Sequence, residues 1–283
     1  MTITHISDTA RWVAVYRAME TARPDAIFRD PFAEPLAGVR GHEIVDAMKQ
    51  GRAMAWAMIV RTALFDEIVR DTVARYGVDT VVNLAAGLDA RPWRMDLPPA
   101  LRWVDVDLPD ILEYKTETLR GETTRCRYEP VATDLTDAAA RRALFARLGA
   151  ATTRALVVTE GLLVYLTAEQ VGELADDLHA QPSFAWWLID LASPRLLKLM
   201  EKTWGRSVAQ GNAPFRFGPA EGTDFFAPHG WREEQFRSTM DEAHRLGREM
   251  RGMWFWGPLM RLYPAKTRRE FRRMSGTVLL ARR

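Results

Sequence analysis

The chain has 283 residues, 47% of them hydrophobic, enough to bury one full core or a core with an insertion. Its 39 basic and 37 acidic side chains leave a formal charge of +2, too even to indicate a nucleic-acid partner, and its single cysteine, Cys126, excludes an internal disulfide. No apolar run approaches the roughly 20 residues of a membrane span, and no basic stretch followed by an apolar one opens the chain, so the expectation is a cytoplasmic protein with no membrane partner.

The first 76 residues read as a helical cap, with candidate helices over 11–20 and 51–76 separated by the turn-rich Arg23-Pro24-Asp25 and Asp30-Pro31. From Thr80 the pattern changes to short apolar runs at 80–85, 101–106, 127–132, 156–159 and 184–191. Amphipathic segments at 110–120, 138–148 and 168–180 lie between them. Strands alternating with helices predict an α/β fold with a Rossmann-like, doubly wound, mostly parallel sheet over 77–192. Cys126, inside such a run, reads as core filler. Residues 193–250 are rich in aromatics, Gly and Pro and read as an inserted lid. The stretch 251–283 completes the core with a last strand at 277–281, and Arg268, Arg269, Arg272 and Arg273 read as the solvated side of a helix.

Chemistry concentrates at the ends of the first two apolar runs. The first stops at Ala85-Ala86-Gly87, small residues that let a ligand approach the backbone. Twenty residues after Gly87 the second run ends in Asp107, placed to accept hydrogen bonds from a ribose diol. Asp105 lies two residues earlier, points to the same sheet face, and competes for that role. The loop lacks the three-glycine form that a diphosphate requires. The pattern therefore suits a nucleoside ligand without a diphosphate, such as S-adenosylmethionine, and disfavours a nicotinamide-dependent oxidoreductase. On its helix, Arg61 shares the apolar stripe of Met54, Met58, Phe65 and Ile68, while Asp66, Glu67 and Arg70 fall on faces expected to be solvated. An arginine on a core-facing stripe must find an anion, either a structural one such as Asp30 or Asp89 or the carboxylate of a ligand. Asp134 follows the third run, where a turn aspartate is also common. Glu160 closes the fourth, at the carboxyl edge of the sheet.

These residues belong to a wider ordered set. It comprises Ser7-Asp8-Thr9-Ala10, Arg23-Pro24-Asp25, Arg29-Asp30-Pro31, Val60-Arg61-Thr62, Asn83 through Asp89, Val106-Asp107-Leu108-Pro109, Asp134-Leu135 and Thr159 through Leu166. In that order the chain resembles the class I S-adenosylmethionine-dependent methyltransferases, and more narrowly the leucine carboxyl methyltransferase family with its bacterial small-molecule and polyketide O-methyltransferase branch. The resemblance runs to about residue 170. It implies S-adenosyl-L-methionine as cofactor, Arg61 and Arg17 on its methionyl carboxylate, and Glu160 facing its ammonium. It also implies Ala85 and Gly87 in the close-approach loop, Asp107 on the ribose, and Asp134 with the Leu135 backbone amide on adenine.

Methyl transfer from a sulfonium is an in-line displacement, so positioning and exclusion of water are the protein's main tasks. A carboxylate acceptor needs no base, whereas a hydroxyl does, and with no obvious buried histidine placed for that task the sequence leans toward a carboxylate. His229 is the one candidate base among five scattered histidines, none of which has metal-ligand spacing. Tyr165, Phe225 and Trp231 are the acceptor-side candidates, and aromatic residues around them favour a planar or greasy small-molecule acceptor. The resulting expectation is O-methylation of a small natural-product or polyketide-like acid or hydroxyl. A protein C-terminal carboxyl methyltransferase and a cofactor-binding module without chemistry are the rivals.

Overall fold

The computed structural model describes residues 7–48, 51–209, 214–250 and 263–283. Seven strands form one open sheet: β1 (Thr80–Leu84), β2 (Arg102–Asp107), β3 (Arg127–Ala132), β4 (Ala155–Thr159), β5 (Phe184–Ala192), β6 (Trp231–Ser238) and β7 (Ser275–Arg282). Their order across the sheet is β3-β2-β1-β4-β5-β7-β6. β1 to β5 are parallel, and β7 runs antiparallel to both its neighbours. This is the doubly wound, mostly parallel sheet expected from the alternating pattern.

Strand parity explains the layering. Val82 and Leu84 of β1, Val104 and Val106 of β2, and Val157 of β4 point to one face. There they pack on α6 (Ala138–Ala150) and α7 (Ala168–His179), through Phe145, Leu148, Leu174 and Leu178. Val81, Trp103, Leu156 and Val158 point the other way and meet Phe65, Ile68, Val69 and Val73 of α3 (Ala55–Tyr76). With both faces covered, these strands carry apolar residues on both faces rather than on alternate positions, with Asn83 and Asp105 as buried polar exceptions. The buried Cys126 belongs to the α3 layer, where burial pushes its thiol up to about 11.

Chain order reverses between β1 and β4, which opens a crevice at the carboxyl ends of these strands. Over that crevice lie α1 (Ser7–Thr21) and α2 (Ala33–Ala47), whose Trp12, Val15, Tyr16, Leu36 and Ile44 pack on Leu88 and Ala90 after β1 and on Ile111 of α5 (Pro109–Thr118). The sequence reading missed α2. Its glycines weaken the helical signal, yet a Cβ on Gly41 would lie 3.0 Å from the Arg11 carbonyl oxygen, so the close α1–α2 packing requires that residue.

The stretch 193–250, expected as an inserted lid, contributes Leu196, Leu199, Met200, Phe215, Phe217 and Met240 to the wall of a cavity. It holds α8 (Pro194–Ala209), the 3-10 turn Gly222–His229, the edge strand β6 and α9 (Thr239–Arg245). β6 reads Trp-Arg-Glu-Glu-Gln-Phe-Arg-Ser, with four consecutive exposed polar residues and a register shift between Glu233 and Gln235. Charge and a bulge are how an edge strand resists further pairing, and here they hid the strand from a hydrophobicity pattern. The last helix, α10 (Ala265–Arg272), exposes Arg268, Arg269 and Arg272, as expected of its basic run. Among the described residues no helix is long and apolar enough to cross a membrane.

Candidate functional site

The loop after β1 turns through two left-handed residues, Ala85 and Gly87, both at φ 51°. That conformation costs a residue with a Cβ roughly 1–2 kcal/mol, and it aims the Gly87 N–H at the tip of β2. There Asp107 Oδ2 accepts from Gly87 N at 2.6 Å and Oδ1 from Leu108 N at 2.7 Å. Burial pushes the Asp107 carboxyl above its usual range, against the pull of these two N–H groups. Each carboxylate oxygen keeps acceptor capacity for a further donor. The competition with Asp105 is resolved by packing. Asp105 is fully buried and tied to Lys115 Nζ (2.6 Å), Asn83 Nδ2 (3.0 Å) and Trp103 Nε1 (2.8 Å). It serves as an internal anchor, and Asp107 faces the crevice.

Arg61 meets neither of the structural anions suggested by spacing. Its Nε donates to Glu160 Oε1 at 3.0 Å, and its Nη1 lies 3.4 Å from Asp190 Oδ2. This pair ends a continuous chain of alternating charges. Arg17 Nε donates to Asp30 (2.8 Å), and Asp30 lies 3.6 Å from Arg94. Arg94 bonds both oxygens of Asp66 at 2.6 Å, and Arg91 joins Asp66 (2.7 Å), Asp89 (2.7 Å) and Glu160 (2.9 Å). Asp66, expected to be solvated, is 4% exposed because it holds two arginines. Burial alone would raise Asp89, but Arg91 foremost, with Arg94 and Lys115, holds it at about 2. At the far end Asp190 behaves oppositely. Burial pushes its carboxyl up, opposed by Arg61 and by the Gly161 N–H, which donates to Oδ1 at 2.6 Å.

These groups line one cavity of about 710 Å³, within the size of small-molecule sites. Arg61, Ala85, Gly87, Asp107, Asp134, Leu135 and Glu160 all lie on its wall, as does Arg17. Asp134 is at the exposed rim, where its Oδ1 accepts from Thr136 N (2.8 Å) and Oγ1 (2.7 Å). The wall is also rich in methionine, with Met48, Met54, Met58, Met200, Met240 and Met274 on it. Tyr165 lines the same cavity, stacked on Phe215 with ring centroids 5.7 Å apart, and burial pushes its hydroxyl up to about 12.

Three sequence candidates are not at the cavity. Trp231 is fully buried, donates to the Ala175 carbonyl at 3.1 Å and packs edge-on to Trp187. Phe225 belongs to the same aromatic cluster, against Phe217 and Phe226. His229 pairs with Asp176 of α7 at 2.8 Å and leans on Phe225. Of the aromatics that suggested a lid, Phe225, Phe226 and Trp231 belong to the core between the sheet and α7, whereas Phe215 and Phe217 line the cavity. Replacing His229 by Ala should therefore leave whatever reaction the cavity supports within about twofold of wild type, since a side chain outside the cavity touches no reacting group. A rate assay at matched protein stability checks this.

Sequence reasoning missed Asp190 and the methionine wall. Asp190 carried a readable signal, a carboxylate near the end of an apolar strand run at the same sheet edge as Glu160. Met54 and Met58 were read as core, because periodicity cannot separate a cavity-facing stripe from a core-facing one.

The family profile described as leucine carboxyl methyltransferase matches residues 10–179. A Streptomyces coelicolor protein, provisionally named an S-adenosyl-L-methionine-dependent methyltransferase, is 36% identical over 260 residues, covering 86% of this chain and 88% of its own. A Mycolicibacterium gilvum protein of the same provisional name is 36% identical over 195 residues, and the match spans only 62% of its length. A solved DUF574-family protein from Streptomyces avermitilis shares the fold with a TM-score of 0.61 at 15% identity, over 97% of both chains. A methyltransferase, so named provisionally, from Thermobifida fusca reaches 0.57 at 14% identity, over 96% of this chain and 94% of that one.

Proposed function

The chain belongs to the leucine carboxyl methyltransferase family, and from that premise we propose that it is an S-adenosyl-L-methionine-dependent O-methyltransferase of a small apolar acceptor. The observation that carries the reading is one cavity whose wall holds both the polar set Arg61, Gly87, Asp107 and Glu160 and the methionines named above.

The residues present fit the cofactor. Asp107 has two oxygens with spare acceptor capacity for the ribose hydroxyls, and the left-handed Ala85–Gly87 loop brings backbone to the crevice wall. Arg61 uses Nε and Nη1 on its two carboxylates, which leaves Nη2 for the methionyl carboxylate, with Glu160 beside it for the ammonium. Along the charge chain four guanidinium groups (Arg17, Arg61, Arg91, Arg94) face five carboxylates (Asp30, Asp66, Asp89, Glu160, Asp190). Acidic groups outnumber the arginines both along this chain and, with Asp107 and Asp134, on the cavity wall, a balance that favours a ligand carrying net positive charge. Asp134 and Leu135 at the rim are assigned to adenine.

The bound cofactor supplies an activated methyl group. The protein's part is to hold an acceptor oxygen in line with it and to keep water out, a contribution worth roughly 7–11 kcal/mol in favourable cases. The apolar wall excludes water, and Tyr165 and Phe215 form a flat surface against which an acceptor can lie. Calorimetric titration should show S-adenosylmethionine and S-adenosylhomocysteine binding at roughly micromolar Kd. Turnover should follow with some member of a panel of aromatic acids and phenols. No binding of either cofactor form would overturn the reading.

A further inference from the structure

α8 follows β5 and α10 precedes β7, and both lie beyond the residues 10–179 matched by the family profile. They meet through Arg195, whose guanidinium lies 4.6 Å from the centroid of the Phe271 ring. On α8, Leu196, Leu199, Met200 and Thr203 recur at helical spacing and line the cavity, joined by Phe271 of α10. Arg195, Lys198 and Lys202 recur on a neighbouring, exposed face. Leu199 and Met250 both lie on the cavity wall and are still 54% and 40% exposed, so the cavity opens to solvent at these residues. Charge around this mouth is one-sided. Residues 194–203 carry three cations and one acid, and α10 carries four cations and one acid. Together they hold a net charge of +5 in a chain whose total is +2, so the remainder is net negative. Lys198, Lys202, Lys266, Arg268 and Arg269 are exposed and have no carboxylate partner among the described residues. The arginines of the internal charge chain, by contrast, are all paired.

We propose that α8 and α10 form a docking port for a free anionic amphiphile. Its apolar body enters past Leu199, Met200 and Phe271, and its anionic head group is held outside by Lys198, Lys202 and Arg268. The inference rests on the small-molecule acceptor reading above and specifies that acceptor further, as one with an anion at the end away from the methylated oxygen. Unpaired cations gathered at a mouth repel one another, and an anionic head group relieves that repulsion. Their summed field also draws an anion to the mouth and raises its on-rate. Inside the mouth the wall suits an apolar body, because unbranched thioethers adapt to irregular shapes without demanding a polar group. The two ends of such a molecule are well separated. Glu160, at the end of β4 and assigned to the methionyl end of the cofactor, is two strand positions from β7, roughly 10 Å at the usual strand spacing. The port cations stand further out, so the head group is a second polar group, distinct from the oxygen that is methylated.

The test uses 8-phenyloctanoate and its neutral primary amide, titrated by calorimetry into the protein saturated with S-adenosylhomocysteine. Wild type should bind one acid per chain, roughly five- to tenfold tighter than the amide at about 0.05 M salt, and the preference should shrink at about 0.5 M. Lys198→Gln, Lys202→Gln and Arg268→Gln combined should remove the preference by weakening the acid, with the amide unchanged. Leu199→Glu, at an exposed position, should reverse the preference, because it sets an anion at the mouth. Equal affinities in wild type overturn the proposal, as does a preference that survives the triple substitution or more than one acid bound per chain. Failure of both probes to bind overturns it too. If wild type then sediments with phosphatidylglycerol vesicles and the triple variant does not, the cations belong to a membrane surface instead. The homocysteine titration comes first and reports separately on the methyltransferase reading. Should it fail, the probes are titrated into the free protein, and a salt-sensitive acid preference there upholds the port while the cofactor reading falls.

Discussion

Lys115→Met should destabilise the protein by about 3–5 kcal/mol, the cost of removing one partner from a buried ion pair. Lys115 and Asp105 are both fully buried, 2.6 Å apart, with Asn83 and Trp103 completing the shell of the carboxylate. Met keeps the length and apolar volume of the lysine stem, so the loss isolates the charge. The loss is a large share of the 5–15 kcal/mol that holds most domains folded. Guanidinium unfolding would show a lower midpoint at unchanged slope. Asp105→Asn on that background should recover a good part of it, because the stranded charge is gone while Asn83 and Trp103 keep an acceptor. A midpoint unmoved by Lys115→Met would mean that Asp105 is protonated or hydrated in the native state. The pair also bears on the site. Lys115 Nζ reaches the Asp89 carbonyl at 3.2 Å, and Asp105 lies two residues from Asp107, so the anchor fixes the tip of β2 against the loop after β1.

Where one interaction dominates, the sequence was readable. The central parallel strands announce themselves because burial on both faces makes them mostly apolar, and the edge strand β3 was read to the residue although it is polar and largely exposed. α2 and β6 escaped for opposite reasons. α2 is shaped by a close approach that needs glycine, and β6 is an edge that needs charge, so each contradicts the pattern of its own element type. The site divides in the same way. Asp107 was separable from Asp105 only through the resemblance, since strand parity puts both on one face and tertiary partners alone decide which is free. Arg61 was correctly read as requiring an anion, but its anions come from residues 99 and 129 positions away, beyond any local pattern. Asp66 shows the converse. A carboxylate off the apolar stripe looks solvated until a short helix, α4 (Arg91–Arg94), brings two arginines to it. The aromatics at 225–231 misled because a cluster of rings looks alike in a lid and in a core.

Arg61→Ala and Asp107→Ala should each weaken S-adenosylmethionine binding by about 10- to 100-fold or more, since a hydrogen bond to a charged group contributes about 1.5–3 kcal/mol. The two losses should differ in kind. Arg61 is assigned to the methionyl carboxylate, so Arg61→Ala should cost little against a cofactor analogue that lacks that carboxylate, and wild type should bind the analogue about as weakly as the variant binds the natural ligand. Asp107 is assigned to the ribose, so Asp107→Ala should cost the same against both ligands and lose its effect only against a ribose-deoxygenated analogue. This crossing of ligand and protein deletions is a double-mutant cycle with the ligand as one partner. It removes the chief ambiguity of Arg61→Ala, which also leaves Glu160 and Asp190 facing each other without the cation between them. Any general disturbance of that kind weakens both ligands alike. Equal losses for Arg61→Ala with and without the ligand carboxylate would therefore assign Arg61 to the internal charge chain alone. The carboxylate of the ligand would then need another receptor.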